Sequence, residues 1–208
     1  MNLISNNCAG ARFYQMNNME FTNPFMWCCI FADDFISLVK QYDNINFSNI
    51  KDIFLTKEVS DYNKYNLYDE SKHISGINVD GIFSVYYTHY IYDEKYKEPT
   101  KSGVDILYYK NCEYSHNKYI ERLNRMIMNG KPPVFFAITY TRHGWTSDKI
   151  NELLNIDTNY KIFLVTDEHI SSSNKNFEIR VEDGLNTKYF FPFSIVKKYK
   201  RDIESLLK

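Results

Sequence analysis

Two short, almost wholly apolar runs constrain the fold of this chain most. Residues 134–140, VFFAITY, and residues 161–166, KIFLVT, lack the alternation of apolar and polar side chains that is typical of a strand with one face in water. Both runs are bounded by turn residues, so we predict two central strands buried on both faces. A helix that is capped by Ser147 and runs to about residue 155 is predicted between them.

The remaining segments place helices around these strands. Residues 117–128 predict an amphipathic helix that covers one face of the sheet, with Arg122 and Arg125 on its outer side. A strand over 177–181 and a terminal helix over 194–207 complete the second half. This alternation predicts an α/β fold with a mixed sheet flanked by helices.

The first half gives weaker patterns. Helices are predicted over 9–17 and 35–42, and residues 81–93 predict a long strand rich in β-branched and aromatic residues. Residues 43–78 give little periodicity. Because no repeat or linker interrupts the 208 residues, we predict one domain over 1–208.

Charge and composition exclude several classes of protein. The net charge is −1 and no basic stripe is present, which argues against a nucleic-acid partner. The longest apolar run, about residues 25–32, is too short to cross a bilayer, and no secretory signal is evident. We therefore expect a cytoplasmic protein with free thiols and no integral membrane segment. The four cysteines do not have metal-ligand spacing, so neither a metal nor another cofactor is predicted.

One of these cysteines stands where a polar turn meets a predicted helix, in ISNNCAGARFYQ. The unpaired N–H groups and the dipole of a helix start favour negative charge, and such a position lowers the pKa of a thiol. Cys8 is therefore a candidate nucleophile. The alternative is a buried structural thiol, since free cysteine is among the most buried residue types.

A cysteine nucleophile needs a base, and the chain contains five histidines: His73, His89, His116, His143 and His169. His89 lies inside the predicted strand 81–93, in YYTHY, where neighbouring aromatic rings would hold the imidazole in one rotamer. The alternative is a core histidine that is hydrogen-bonded to the backbone. The residues alone leave both possibilities open.

Several short motifs occur in an order that resembles an uncharacterised family described as papain-like cysteine peptidases. They are SNNCAG, then NPFMW about fifteen residues on, the DDF helix start, THY, and KYIERLNRMIMNGKPPVFFAI. A sister group, described as exopolysaccharide-biosynthesis proteins, is the more similar of the two, because its start resembles SNNC followed by a small residue and glycine. The resemblance runs from about Ser5 to the C-terminus. It implies a papain-like fold with a Cys8 and His89 pair.

Two departures limit what the resemblance implies. Met26 stands where the first group has an acid before the tryptophan, and Thr141 stands where the sister group has an acid before Arg142. A third member of a catalytic triad is therefore not assigned.

Together these observations predict a thiol hydrolase or acyltransferase that acts through a thioester intermediate on an acyl or glycan-linked substrate. Cys8 would attack and His89 would move the proton. The backbone N–H of Cys8 and the side chain of Asn7 or Asn6 would hold the oxyanion. The alternative class is a non-catalytic glycan-binding or polysaccharide-assembly protein in which Cys8 is structural.

Three further side chains are candidates for contact with the substrate. Trp27 and Phe25, from NPFMW, either wall an acyl pocket or pack in the core. Arg142 follows the predicted strand 134–140 and is a candidate substrate-binding residue.

Overall fold

The computed structural model describes residues 2–26, 28–56, 73–87, 104–186 and 192–208. The strands are β1 (Leu3–Ser5), β2 (Cys28–Cys29), β3 (Ile50–Thr56), β4 (His73–Val79), β5 (Phe83–Tyr87), β6 (Val134–Ile138), β7 (Lys161–Thr166) and β8 (Phe177–Val181). The helices are α1 (Ala9–Met16), α2 (Ala32–Gln41), α3 (Val104–Asn129), α4 (Ser147–Leu154), α5 (Pro192–Lys198) and α6 (Lys200–Leu206).

The strands form two sheets of four. The first is wholly parallel with the order β1-β6-β7-β8, and the second is antiparallel with the order β2-β5-β4-β3. The predicted α/β class is confirmed, and both strand orientations are present, although they are divided between two sheets. The prediction that the two apolar runs form central strands is also confirmed, since β6 and β7 are the inner strands of the parallel sheet. β6 ends at Ile138, two residues earlier than predicted.

The parallel sheet is buried on both faces because its side chains alternate between two cores. Leu3, Phe136 and Phe163 pack with α1, α5 and α6 on one side. Ile4 and Phe135 face the other side, where α2, α3, α4 and the antiparallel sheet share one continuous core. A strand in this position needs apolar residues at every site, which explains the lack of alternation in the sequence.

The helix boundaries differ from the sequence prediction in three places. α2 begins at Ala32, so Asp33 and Asp34 lie in its first turn instead of preceding it. α3 is 26 residues long and extends well before the predicted start at 117. The predicted terminal helix is two helices, because Tyr199 interrupts it between α5 and α6.

The prediction that Arg122 lies on the outer side of its helix is wrong. Arg122 is buried, and its Nη1 donates a hydrogen bond to the backbone oxygen of Met26 at 3.3 Å. Arg125 is half-buried and pairs with Glu20 at 3.0 Å. Nη1 of Arg125 also donates to the backbone oxygen of Phe21 at 3.1 Å, so the segment that precedes β2 covers this face of α3 and both arginines bind its backbone.

Two predicted site residues, His89 and Trp27, lie outside the described residues. Strand β5 is described as far as Tyr87, within the predicted strand 81–93. Within the described ranges, no helix combines the length and the apolarity needed to cross a membrane.

Candidate active site

The parallel sheet brings several chain segments to one edge. Because β1, β6, β7 and β8 run in the same direction, their carboxyl ends lie together, and ligands of α/β sheets bind at that edge. Residues 6–8 leave β1 there and lead into α1. A 3-10 turn, Thr141–His143, follows β6 at the same edge. The two segments that follow β1 and β6 contain four of the residues that the sequence singled out.

Asn6 joins the segment that follows β1 to the end of β6. Its side-chain Nδ2 donates to the backbone oxygen of Ile138 and its Oδ1 accepts from the backbone N–H of Ile138, each at 3.0 Å. Its own backbone N–H donates to Phe136 at 3.1 Å. Asn6 is completely buried. The sequence predicted a substrate contact for Asn6, whereas these contacts extend the β1-β6 pairing beyond the strands and fix the turn.

Asn7 holds the start of α1. Its Oδ1 accepts a hydrogen bond from the backbone N–H of Ala9 at 2.9 Å, and its Nδ2 donates to Oδ1 of Asn6 at 3.0 Å. Asn7 is 3% exposed. The side chain therefore occupies one of the N–H groups that a helix start leaves unpaired, and it orients the residue between them, Cys8.

Cys8 precedes the first residue of α1, and its carbonyl accepts the hydrogen bond from Arg12 N at 3.0 Å. Cys8 is partly exposed, whereas the other two described cysteines, Cys28 and Cys29, are buried. All three are free thiols. Of the described cysteines, Cys8 is thus the one with a surface that a substrate could reach.

The pKa of the Cys8 thiol is shifted in the direction opposite to the sequence expectation. Removal from water raises this pKa, because burial disfavours the thiolate. The cation of Arg12, the backbone N–H of Cys8 itself and the cation of Arg142 oppose that rise without cancelling it. Considering the described residues, the thiol is protonated at rest and needs a base to react.

Cys29 lies beside Cys8 but in a closed environment. The backbone N–H of Ile30 donates to the oxygen of Asn6 at 2.9 Å, which ties the end of β2 to the same turn. Burial raises the pKa of Cys29, and the neighbouring Cys8 thiol raises it further. Cys29 therefore serves as an unreactive neighbour against which the reactivity of Cys8 can be judged.

The turn after β6 carries a second buried ionisable group, His143. Its ring makes edge-to-face contacts with Tyr140 and Phe31, at centroid distances of 5.6 and 6.2 Å. Burial, followed by the charge of Arg142, lowers the pKa of His143 to about 3. The imidazole is therefore neutral at physiological pH. In the sequence, TRHGW follows a predicted buried strand, where active-site loops are common, so His143 is an alternative to His89 as the base.

The charge of Arg142 acts on Cys8, Cys29 and His143. Its guanidinium carbon is 4.7 Å from the centroid of the Tyr140 ring. Its charge reaches both Cys8 and Cys29, because it lowers the pKa of each thiol. The structure thus brings Asn6, Asn7, Cys8 and Arg142 to one edge of the sheet.

Phe25 does not belong to this edge. It is buried in the core, with its ring 5.9 Å from that of Phe83 and 6.2 Å from that of Tyr119. Of the two possibilities left open by the sequence, core packing is the one that its contacts support.

The described residues contain no group of three or more histidine, cysteine or acidic side chains that could hold a metal ion. No protein-family model matches the sequence, and no curated protein matches it significantly.

Proposed function

We propose that the protein is a thiol acyltransferase or hydrolase in which Cys8 is the nucleophile. The observation that carries this proposal is the position of Cys8, a partly exposed thiol at a helix start, at the carboxyl edge of a parallel sheet. Asn6 and Asn7 support it by fixing the turn on both sides of the thiol, as a nucleophile that must meet its substrate in one geometry requires.

The proposed reaction has two steps. Sγ of Cys8 attacks the acyl carbon, its proton passes to a base, and the leaving group departs with a proton, which gives a thioester. A water molecule or an acceptor hydroxyl then attacks the thioester, and the released thiolate recovers its proton. Because burial raises the pKa of Cys8, the base must take the proton during the attack.

We propose His89 as this base, on the strength of the resemblance of THY to the histidine strand of the papain-like group. His143 is a weaker candidate, since an imidazole whose pKa is lowered to about 3 holds a proton poorly. The relation of this chain to the papain-like group is itself a proposal, which rests on the same resemblance.

The oxyanion of the acyl intermediate would be stabilised by the backbone N–H of Cys8 and by the first turn of α1. Asn7 acts as a positioning residue here, because its Oδ1 is already engaged by Ala9 and its Nδ2 by Asn6. The same reasoning assigns Asn6 a positioning role. Trp27 is retained as a proposed wall of the acyl pocket.

The substrate class is proposed from the resemblance to exopolysaccharide-biosynthesis proteins. It is an acyl group carried on, or delivered to, a surface glycan or its precursor, handled in the cytoplasm without a nucleic-acid partner.

Trapping of the acyl intermediate tests this function. The purified protein is incubated with p-nitrophenyl acetate, and the intact mass and the modified peptide are determined by mass spectrometry. We expect one acetyl group on the peptide that contains Cys8, released by hydroxylamine as a thioester is. Cys8→Ser should lose the modification, and Cys28→Ala, which removes a buried thiol, should retain it. A folded wild-type protein that is not acetylated at Cys8 would favour the glycan-binding or assembly class instead.

A further inference from the structure

Four buried polar atoms without a hydrogen-bond partner among the described residues cluster in one stretch, residues 139–145. They are Thr139 Oγ1, Arg142 Nε, His143 Nδ1 and Trp145 Nε1. The described part of the chain contains only two others, both in Asn2, which precedes β1 at the opposite edge of the sheet. Buried polar groups are nearly always hydrogen-bonded, so a concentration of exceptions in one turn calls for a binding partner.

The burial of these side chains excludes a simple surface explanation. Thr139 and Trp145 are each 1% exposed, and His143 is 7% exposed. Desolvating a donor without supplying an acceptor is unfavourable, and this turn contains several such groups. A site that receives a ligand recovers that cost when the ligand binds.

The chemistry of the four atoms indicates what the ligand is. Nε of arginine and Nε1 of tryptophan are donors only, a hydroxyl donates readily, and Nδ1 of a neutral imidazole donates in one of its two tautomers. Within the described ranges, Arg142 also forms no ion pair with a carboxylate. Donors in one short turn, together with the positive charge of Arg142, are complementary to an oxyanion.

The turn is held in place by its neighbours. The backbone N–H of Thr141 donates to Oδ1 of Asn186 at 2.8 Å, and Nδ2 of Asn186 donates to Asp167, after β7, at 2.9 Å. Gly144 has a φ of +78°, which favours glycine and lets the chain turn back sharply towards α4. The donors are therefore presented by a fixed backbone at the edge of the sheet where Cys8 lies.

We propose that the turn 139–145 binds an oxyanion of the substrate, a carboxylate or a phosphate, beside Cys8, with Arg142 as the principal contact. This inference deepens the proposed function and rests on it for the statement that the anion belongs to the substrate. Binding of the anion itself does not require the Cys8 thiol.

Anion binding is tested first in Cys8→Ser protein, by calorimetric titration with inorganic phosphate and with acetate at constant ionic strength. Acetamide, which has no charge, is the control ligand. We expect saturable binding of at least one of the two anions, and the preferred one identifies the group. Arg142→Gln should weaken that binding by about tenfold or more, because a charge-assisted hydrogen bond is lost. Arg201→Gln removes an exposed arginine on α6 and should leave the binding unchanged.

A second measurement locates the anion. Because Arg142 stabilises the Cys8 thiolate, a bound anion that neutralises this charge should slow the alkylation of Cys8 in wild-type protein at a fixed pH. The slowing should disappear in Arg142→Gln. Thermal unfolding of each variant establishes that it is folded.

The outcomes separate the two proposals. Absence of saturable binding for both anions, or equal binding in Cys8→Ser protein with and without Arg142→Gln, each folded, overturns the anion site. Binding that depends on Arg142 in a protein whose Cys8 cannot be acetylated supports the anion site and overturns the thiol mechanism.

Discussion

Replacement of Asn6 by alanine should destabilise the protein strongly, because the side chain makes three hydrogen bonds in the interior. Each bond is 3.0 Å long: two join Asn6 to the backbone of Ile138, the third comes from Nδ2 of Asn7, and Asn6 is completely buried. Asn6→Ala leaves the buried backbone N–H of Ile138 and the buried Nδ2 of Asn7 without their acceptor, whereas the oxygen of Ile138 still accepts from the backbone N–H of Tyr140 at 2.9 Å. At about 1 to 3 kcal/mol for each stranded group, the free energy of unfolding should fall by about 2 to 6 kcal/mol.

Urea unfolding followed by circular dichroism measures this loss. Asn155→Ala is a matched control: its Nδ2 also donates to a backbone oxygen, that of Asn151 at 2.9 Å, but the residue is exposed. The control should change stability by less than about 0.5 kcal/mol. Asn6→Asp keeps the acceptor for the N–H of Ile138 and loses the donor, so it provides a second test if the alanine variant does not fold. A loss in Asn6→Ala no larger than in the control would refute the reasoning.

Three other predictions follow from the buried and closely packed groups. Burial raises the pKa of Asp34 to about 6, above its value in the unfolded chain, so the free energy of unfolding should fall as pH rises from about 4 to about 6. In urea unfolding, Asp34→Asn should abolish this pH dependence, whereas the control Asp33→Asn should keep it. The pKa of His143 is lowered to about 3, so the free energy of unfolding should fall as pH drops below about 6.5. In NMR spectra the ring protons of His143 should not shift between pH 5 and 8, and a ring that titrates in this range would contradict its burial. A Cβ at Gly76 would clash with the backbone oxygen of Val85, so Gly76→Ala should cost about 1 to 3 kcal/mol in thermal unfolding, and unchanged stability would contradict the close approach of β4 and β5.

The elements that local patterns determine could be predicted from the sequence. β6 and β7 are recognisable because a strand buried on both faces is apolar throughout, and α1 is recognisable from its position after a polar turn. The class of fold follows from the alternation of such elements. The division into two sheets does not, because the pairing of β1 with β6 joins residues more than a hundred positions apart.

The candidate site also depends on contacts between residues that are distant in sequence. The sequence indicated Cys8 and Arg142, but it could not show that they follow two neighbouring strands of one sheet, or that the amide of Asn6 binds Ile138. It also gave the wrong direction for the pKa of Cys8, because it counted the helix start and not the desolvation that tertiary packing imposes. Arg122 was misplaced for a related reason: the chain segment that buries it is distant in sequence.

The central claim is that His89 makes Cys8 a nucleophile, and the pH dependence of Cys8 alkylation tests it most directly. Iodoacetamide labelling of the peptide that contains Cys8 is measured against pH in wild type, His89→Ala and His143→Gln. The described residues raise the pKa of the thiol; a His89 that accepts the thiol proton becomes an imidazolium beside the thiolate and so lowers the pH at which Cys8 reacts. We predict that the midpoint rises in His89→Ala and stays unchanged in His143→Gln, because His143 is neutral over this range. The same midpoint in wild type and His89→Ala would contradict the pair.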